Sequence, residues 1–292
     1  MANLSLELCR HTVDDILICP VCGAGMHTSD DGRSLLCRGA RTQCFDGGGG
    51  GYVPLSPRHH GGGDGKDAVR CRTSFLDKGY YAQAREAIVS TVRDYLQPDA
   101  DVLDAGCGEG YYSNHIAEAG YRVLGCDLSK FAVDTAAKRA RMMRGAAPSR
   151  TVYAVASVFE LPVCDESVDA VVNIFAPCAP LEYARVLKPD GYLIVVGAGE
   201  DHLFGLKKCL YDDPYLNDER RDLPDETSGL TLIETRNVHF EITVSGQEDL
   251  GALFSMTPYY WRTSRSGLER LAAITTLTTP VSFDIHVYKK AT

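Results

Sequence analysis

The sequence lacks any apolar run that approaches the roughly 18 residues needed to cross a bilayer. Its beginning, MANLSLELCRHTVDD, has no basic segment followed by an apolar core, so we expect no secretory signal. Positive charge is scarce as well, because 30 Lys and Arg stand against 39 Asp and Glu and give a net charge of −9. That balance argues against a surface that binds nucleic acid throughout. We therefore expect a cytoplasmic protein without a membrane partner.

Two common phosphate-binding patterns are missing from the glycine-rich stretch LDAGCGEGYY. The glycines Gly106, Gly108 and Gly110 form G-x-G-x-G, whereas a dinucleotide fingerprint needs its third glycine three residues after the second. No Lys followed by Ser or Thr comes next, which excludes a P-loop. The loop therefore allows close approach of a ligand without a pyrophosphate grip.

What the sequence does have, from residue 101 onward, is an alternation of strands and helices. Predicted strands are DVLDAG, YRVLGCD, TVYAVAS, VDAVVNIF and GYLIVVGAG, and predicted helices between them are YYSNHIAEAG, SKFAVDTAAKRARMM and PLEYARVLKPDG. Further strands, TLIETRNVHFEITV and SFDIHVYK, flank a QEDLGALFSM helix. This βαβ pattern predicts an α/β fold with a doubly wound, mostly parallel, Rossmann-like sheet.

The chain divides into three predicted parts. Residues 1–57 form a small unit with too few apolar residues for a core of its own, so it needs a staple. Residues 58–98 form a Gly-rich loop, RHHGGGDGKDAV, and linking helices, with helical spacing across residues 75–96. Residues 99–292 form the α/β domain.

An acidic residue, Asp127, ends the second strand of that domain in GCDLSK. It follows the glycines by about twenty residues, where a carboxylate accepts hydrogen bonds from ribose hydroxyls. A glycine turn and a ribose acid without a phosphate grip favour a nucleoside ligand such as S-adenosylmethionine.

The staple of the N-terminal unit is predicted to be zinc. The chain has 11 cysteines, and four of them crowd near the N-terminus: Cys19, Cys22, Cys37 and Cys44. Cys19 and Cys22 form a C-x₂-C pair, which presents two thiolates to one tetrahedral ion. A thioredoxin-like redox pair is the alternative, but no βαβ frame surrounds it. His27 is a spare candidate ligand.

The combination LDAGCGEG…GCDLS resembles the class I S-adenosylmethionine-dependent methyltransferases. The resemblance implies that Asp127 holds the ribose of the cofactor and that Ser157 and Val158 lie beside the adenine. The methionine end would be lined by Asp104, Gly106, Gly108 and Gly110. Tyr111 and Leu128 are further predicted contacts to the cofactor. Asn173 would end the fourth strand at the active site.

The whole chain is similar to the bacterial 23S ribosomal RNA (guanine-N1-)-methyltransferases, which join a zinc module to a class I domain. The matching stretches include CPVCGAGM, FLDKGYY, LDAGCGEGYYS, FAPCAPLEYARVLKPDGYLIV, SMTPYYWR and SFDIHVYK. The resemblance implies methylation of a guanine in a 23S rRNA hairpin and a homodimer. Gln43 replaces the family's histidine ligand, so Cys44 is carried over as the fourth zinc ligand. A macrolide-resistance subgroup modifies a neighbouring guanine, whereas GCGEGYY and APC favour the housekeeping type.

Guanine N1 must leave its base pair before methylation, which predicts an aromatic face for the extruded base. We expect Asn173, Phe175 and Pro177 to present the base, and Trp261, with Tyr259 and Tyr260, to close over it. The predicted RNA contacts are Arg58, Arg70, Arg72 and Trp261. Glu109 and His286 are candidate acceptors of the N1 proton.

Two alternatives remain open on these residues. A class I methyltransferase acting on a small molecule would explain the glycine loop and Asp127 but would leave the zinc module unused. A non-catalytic module that binds RNA or the ribosome would not need an intact cofactor site.

Overall fold

A central eight-stranded sheet organises the chain in the computed structural model, which describes residues 12–48, 51–56, 63–144, 150–218 and 223–291. The strands are β1 (Met26–Thr28), β2 (Ser34–Cys37), β3 (Cys44–Asp46), β4 (Val53–Pro54), β5 (Asp101–Ala105), β6 (Arg122–Asp127), β7 (Thr151–Val155), β8 (Val168–Ile174), β9 (Leu187–Ala198), β10 (Leu230–Ser245) and β11 (Thr276–Lys290). The helices are α1 (Lys66–Asp77), α2 (Ala82–Tyr95), α3 (Tyr111–Glu118), α4 (Lys130–Arg144), α5 (Pro180–Val186), α6 (Phe204–Leu210), α7 (Gln247–Ser255) and α8 (Arg265–Ala273).

The strand order of the large sheet is β10-β11-β9-β8-β5-β6-β7-β4. All neighbours from β4 to β9 pair in parallel, and β11 alone is reversed, since it pairs antiparallel with both β9 and β10. The predicted doubly wound α/β fold is therefore confirmed. Since β6 lies on one side of β5 and β8 on the other, the order reverses at β5. Ligands of such sheets bind beyond the carboxyl ends of the strands at this point.

Burial on both faces explains the central strands. All five residues of β5 are buried, as a parallel strand covered by helices on both sides requires. Helix α2 buries Ala84, Ile88 and Val92, which recur once per turn as the spacing in the sequence predicted. These contacts hold the carboxyl end of β5 rigidly in the centre of the sheet.

The N-terminal segment packs directly on the large sheet. Strands β1, β2 and β3 form a separate antiparallel sheet, while β4 pairs in parallel with β7 at the edge of the large one. Its apolar side chains, among them Leu17, Leu35 and Leu55, share one buried cluster with Leu103 and Leu124 of the central strands. The N-terminal segment was predicted to have too few apolar residues for its own core, and its apolar side chains pack into the core of the large sheet.

Two segments differ from the sequence-based expectation. The predicted helix over residues 75–96 is divided into α1 and α2, because Gly79 takes a φ of +81° in the turn between them. The predicted Gly-rich loop is shorter than expected, since α1 already begins at Lys66. Within the described ranges, no helix combines the length and apolar character that a membrane crossing requires.

Candidate active site

The loop 106–110 follows β5 at the switch point of the sheet. All three of its glycines have positive φ, +89° for Gly106, +53° for Gly108 and +75° for Gly110. A Cβ at Gly106 would collide with the Cβ of Ala176, and one at Gly110 would lie 2.7 Å from the Cβ of Ala136. Both the backbone conformation and the lack of space therefore demand glycine. The loop is a tight cradle between β5 and α3.

Asp127 ties this cradle to the next strand. At the carboxyl end of β6, its Oδ2 accepts the Gly108 N–H at 3.1 Å and its Oδ1 accepts the Ser129 N–H at 2.7 Å. Burial raises the pKa of Asp127, and the two backbone donors act in the opposite direction. Each carboxylate oxygen accepts one of these bonds, so each retains a lone pair for a ligand hydroxyl.

Asp104, at the end of β5, is the buried acid of the site. Ser113 Oγ donates to its Oδ2, while its Oδ1 has no hydrogen-bond partner among the described residues. Burial raises the pKa of Asp104 from 3.8 to about 7. A buried acceptor without a donor is rare. Asp104 therefore fits a ligand that brings a positive charge or an N–H donor, such as the ammonium group of S-adenosylmethionine.

Helix α1 covers the cradle through Arg72. The Nε of Arg72 donates to Oε2 of the buried Glu109 at 2.8 Å, and its Nη2 forms an ion pair with Asp64. Ser129 Oγ donates to the Asp64 carbonyl at 2.7 Å, which joins the same helix end to the loop after β6. The predicted role of Arg72 as an RNA phosphate contact conflicts with this placement, because its guanidinium is already paired inside the protein.

Two further predicted cofactor contacts, Tyr111 and Val158, are buried beside the cradle. Tyr111 begins α3, and its hydroxyl accepts from Arg85 Nη1 at 3.3 Å. Leu128 follows Asp127 directly, and Ser157 and Val158 follow β7, the neighbouring strand. Ser157 Oγ accepts the Phe159 N–H at 3.2 Å, which shapes the turn there. The Ala156 N–H donates to the Asp127 carbonyl at 3.1 Å, so Ser157 and Val158 follow directly beside the end of β6.

Asn173 is the second-last residue of β8, and its side chain is hydrogen-bonded within the protein. Its amide nitrogen donates to the carbonyls of Ala105 at 3.2 Å and Pro177 at 3.1 Å, and lies 3.0 Å from the Tyr183 hydroxyl. The side chain therefore fixes the end of β8 to the end of β5. The sequence predicted that Asn173 would help to present the base, but its amide nitrogen is already bonded within the protein.

Phe175 is the exposed aromatic residue at this end of β8. It is 50% exposed and has a φ of +53°, a region that side-chain-bearing residues seldom adopt. Ala176, its neighbour, contacts the glycine loop at Gly106. Backbone strain of this kind concentrates at functional sites. Phe175 is thus joined through Ala176 to the glycine loop, and its half-exposed ring stays a predicted contact for the base.

The two candidate proton acceptors have other partners. Glu109 pairs with Arg72 as described, and His286 lies within β11, where its Nδ1 is 3.0 Å from Thr235 Oγ1 of β10. Sequence reasoning missed His202, whose ring lies 5.7 Å from that of Phe175. The available signal was the position of His202, in EDHL directly after the predicted strand GYLIVVGAG.

Three of the four predicted zinc ligands come together. The sulfur atoms of Cys19, Cys22 and Cys37 all lie within 4.8 Å of one another, and none is in a disulfide. Tetrahedral zinc with Zn–S bonds of about 2.3 Å would place neighbouring sulfurs about 3.8 Å apart. The Gly39 N–H donates to Cys37 Sγ at 3.2 Å, and the backbone N–H of Val21 interacts with Cys19 Sγ. Such donors stabilise thiolates, so the group fits a zinc ion.

Among the described residues, no fourth zinc ligand joins the sulfur atoms of Cys19, Cys22 and Cys37. Cys44 is exposed, and its Sγ donates to Asp46 Oδ1 at 3.5 Å instead of joining the other thiols. His27 also lies outside the group, with a buried Nδ1 that has no partner in the described part of the chain. Cys44 as a ligand stays a prediction.

The predicted RNA contacts fall on different surfaces. Arg70 is exposed on α1, and Arg58 lies outside the described residues. Trp261 is 84% exposed, and its ring packs edge-on against Tyr260 at 4.9 Å. Tyr259 is buried instead. Trp261 and Tyr260 therefore offer an open aromatic face, whereas Tyr259 belongs to the core.

Comparison with known proteins gives consistent matches. A family model described as a methyltransferase domain matches residues 103–195. The chain is 36% identical over 208 residues to the 23S rRNA (guanine(748)-N(1))-methyltransferase of Streptomyces fradiae, covering 69% of this chain and 70% of that protein. It is 27% identical over 291 residues to YxjB of Bacillus subtilis, a candidate 23S rRNA (guanine-N(1)-)-methyltransferase, covering 96% of this chain and 100% of YxjB.

A third relative and a solved structure extend this result. A candidate 23S rRNA (guanine-N(1)-)-methyltransferase of Micromonospora griseorubida is 35% identical over 210 residues, covering 65% of this chain and 68% of that protein. The crystal structure of the YcgJ protein of Bacillus subtilis superposes with a TM-score of 0.50 at 15% identity, over 71% of this chain and 98% of YcgJ. The structural match concerns the fold alone.

Proposed function

The chain belongs to the 23S rRNA (guanine-N1-)-methyltransferase family, and from this membership we propose that it methylates N1 of a guanine in a hairpin of 23S ribosomal RNA. The observation that carries the proposal is the 36% identity to a named member across 70% of that protein's length. The crevice at the end of β5, with its glycine cradle, matches the nucleoside cofactor that such a reaction consumes.

S-adenosylmethionine supplies a methyl group on a positively charged sulfonium. The carboxylate of Asp104 is suited to the ammonium group at the methionine end, since its Oδ1 lacks a donor among the described residues. Asp127 would accept hydrogen bonds from the ribose hydroxyls, and the Gly108 and Ser129 N–H groups hold its carboxylate in place. The ion pair between Arg72 and Glu109 holds α1 against the loop.

The substrate base arrives from the other side of the cradle. An extruded guanine needs a flat apolar contact in place of its stacked neighbours. Phe175 offers one at the end of β8, and Trp261 with Tyr260 offers a second, solvent-facing one. Aromatic rings stack on nucleic-acid bases, so these two exposed faces are suited to hold the extruded guanine or a neighbouring base.

We assign the N-terminal segment to RNA contact and to one structural zinc ion bound by Cys19, Cys22 and Cys37. The ion would stabilise β1, β2 and β3, whose sheet is too small to fold on its own core. Arg33 and Arg41 are exposed on this segment and provide positive charge for phosphates. The overall negative charge then belongs to other surfaces.

The decisive experiment incubates the protein with labelled S-adenosylmethionine and, in parallel, with a 23S rRNA transcript or a metabolite extract. Label should enter RNA, and nucleoside mass spectrometry should identify 1-methylguanosine. The Asp127→Asn variant is the matched control for cofactor-dependent transfer. Label found only in a small molecule would favour the alternative methyltransferase, and failure to bind the cofactor by calorimetry would favour a non-catalytic RNA-binding module.

Three finer points follow from the same proposal. Because the proposed substrate is ribosomal RNA, we place the activity in the cytoplasm. The family resemblance also predicts a homodimer, which sedimentation analysis would check. A link between this methylation and macrolide susceptibility stays a prediction. Drug-susceptibility tests on strains with and without the gene, together with mapping of the modified guanine, would check that link.

A further inference from the structure

His202 lies on the loop after the carboxyl end of β9, at the same edge of the sheet as the glycine cradle. Its ring is 5.7 Å from Phe175 and 5.2 Å from Phe283, and Tyr81 lies 6.1 Å away. His202 is only 6% exposed, whereas Phe175 beside it is half exposed. The imidazole is therefore held among aromatic rings directly next to the surface assigned to the target base.

The hydrogen bonds of His202 determine which nitrogen carries its proton. The Ser282 N–H donates to Nδ1 at 3.2 Å, and a backbone N–H can only donate, so Nδ1 must be the acceptor. Burial lowers the pKa of His202 to about 3, which keeps the ring neutral at physiological pH. The single proton must then lie on Nε2. No hydrogen bond within the described part of the chain uses that Nε2–H.

The backbone around this pair is strained and firmly held. Phe175 has a φ of +53°, and Leu203, which follows His202, has a φ of +55°. Backbone bonds fix both residues, from Phe175 N–H to Val196 O at 3.0 Å and from Leu203 N–H to Pro280 O at 2.8 Å. Such conformations persist only where the surrounding structure imposes them. The surrounding structure thus holds Phe175 and Leu203 in strained backbone conformations, which fixes the positions of Phe175 and the neighbouring His202.

A buried lysine locks the loop that carries His202. Lys207 Nζ donates to Asn217 Oδ1 at 2.6 Å, and Asn217 Nδ2 donates to the Gly199 carbonyl at 2.9 Å. The segment before His202 is therefore fixed by these bonds, in addition to the bond from Ser282 to the His202 ring. The imidazole has little freedom to turn, so its Nε2–H is a preorganised donor.

We propose that the Nε2–H of His202 donates a hydrogen bond to O6 of the target guanine, an inference that rests on the proposed function. In the reaction the N1–H bond breaks and its proton passes to water. The N1 electron pair forms the bond to the methyl carbon, and the pair of the C–S bond remains on sulfur. As N1 loses its proton, negative charge develops on O6, and a fixed donor there stabilises it. Because Nε2 keeps its own proton, His202 is not the base.

A matched pair of variants separates this role from packing. The His202→Asn variant retains an acceptor for the Ser282 N–H but is too short to reach O6, whereas His202→Gln places an amide N–H near the position of Nε2. We expect kcat for rRNA to fall roughly 100-fold in His202→Asn, as for loss of one oxyanion donor. The His202→Gln variant should stay within about tenfold of the wild type, and cofactor affinity should stay within about threefold in both.

The pH profile provides a readout that a structural role would not change. A donor at O6 eases loss of the N1 proton, so its absence should matter less as rising pH favours that loss. The rate ratio of wild type to His202→Asn should therefore shrink toward alkaline pH. If His202→Asn fails to fold, His202→Phe, which keeps the ring packing and removes the donor, takes its place in the same assay.

The outcomes are distinguishable. A variant without the donor that retains the wild-type rate, or a rate ratio that is constant across pH, would overturn the role of His202 and leave the proposed function intact. Wild-type protein that forms no 1-methylguanosine would overturn the proposed function and this inference together. A pH-dependent loss with rescue by glutamine would support the inference.

Discussion

Replacing Asp127 by asparagine tests the cofactor site most directly. The carboxylate accepts N–H groups from Gly108 at 3.1 Å and Ser129 at 2.7 Å, and its other lone pairs are assigned to the ribose hydroxyls. A hydrogen bond to a charged group contributes about 1.5–3 kcal/mol. Asparagine has the same shape as aspartate but no negative charge, so the two hydrogen bonds from the ribose become weaker. Its amide NH₂ would also face the N–H of Gly108 or Ser129, and two donors cannot bond to each other. We expect a loss of about 2–4 kcal/mol, or a roughly 30- to 1000-fold weaker Kd.

Isothermal titration calorimetry with S-adenosylhomocysteine measures this loss without turnover. Asp134→Asn is the matched control, because Asp134 lies on α4 and pairs with Lys138 on the helix surface. Its Kd should stay within about twofold of the wild type. An Asp127→Asn protein that binds within about threefold of the wild type would refute the reasoning, and so would a complex in which the ribose contacts other residues.

Three further predictions follow. Burial raises the pKa of Asp104 to about 7, so folded Asp104 holds its proton above pH 4 while the unfolded chain has lost it, and stability falls as pH rises toward 7. Urea unfolding should show Asp104→Asn gaining about 3 kcal/mol relative to the wild type between pH 5 and 8. Elemental analysis should show zinc lost in Cys22→Ser, and zinc retained in Cys44→Ser would exclude Cys44 as a ligand. Arg70→Ala should weaken RNA binding and reduce the salt slope by about 1, while Arg150→Ala, at the opposite end of the sheet, should not.

The parts of the fold that could be predicted depend on local signals. The strands β5 and β6 are apolar runs that end in Asp104 and Asp127, and the glycines between them have positive φ, which glycine adopts without strain. Residues that follow parallel strands meet at one edge of a sheet. The glycine loop and the acid beside it could therefore be predicted from the sequence, and their roles in cofactor binding stay predictions.

The rest depends on pairings between distant residues. Arg72 and Glu109 are 37 positions apart, and nothing in either local sequence indicates that they form an ion pair. The role of Asn173 as a clamp likewise requires the carbonyl of Ala105, which lies 68 positions away. The ring of His202 likewise accepts the N–H of Ser282 in β11, which lies 80 positions away. Such contacts follow from the sheet order, which sequence patterns alone do not specify.

The N-terminal segment and the cofactor crevice are joined more closely than a linker would allow. The Ile18 N–H donates to the Pro162 carbonyl at 3.0 Å, and the Cys164 N–H donates to the Ile16 carbonyl at 2.8 Å. Leu17 lies between these bonds and is fully buried in the core of the sheet. Residues 157–164 thus contact the thiol-bearing segment at one end and carry the predicted adenine contacts at the other. Since this connection consists of backbone bonds and buried side chains, RNA that binds the N-terminal segment would be held at a fixed position relative to the cofactor.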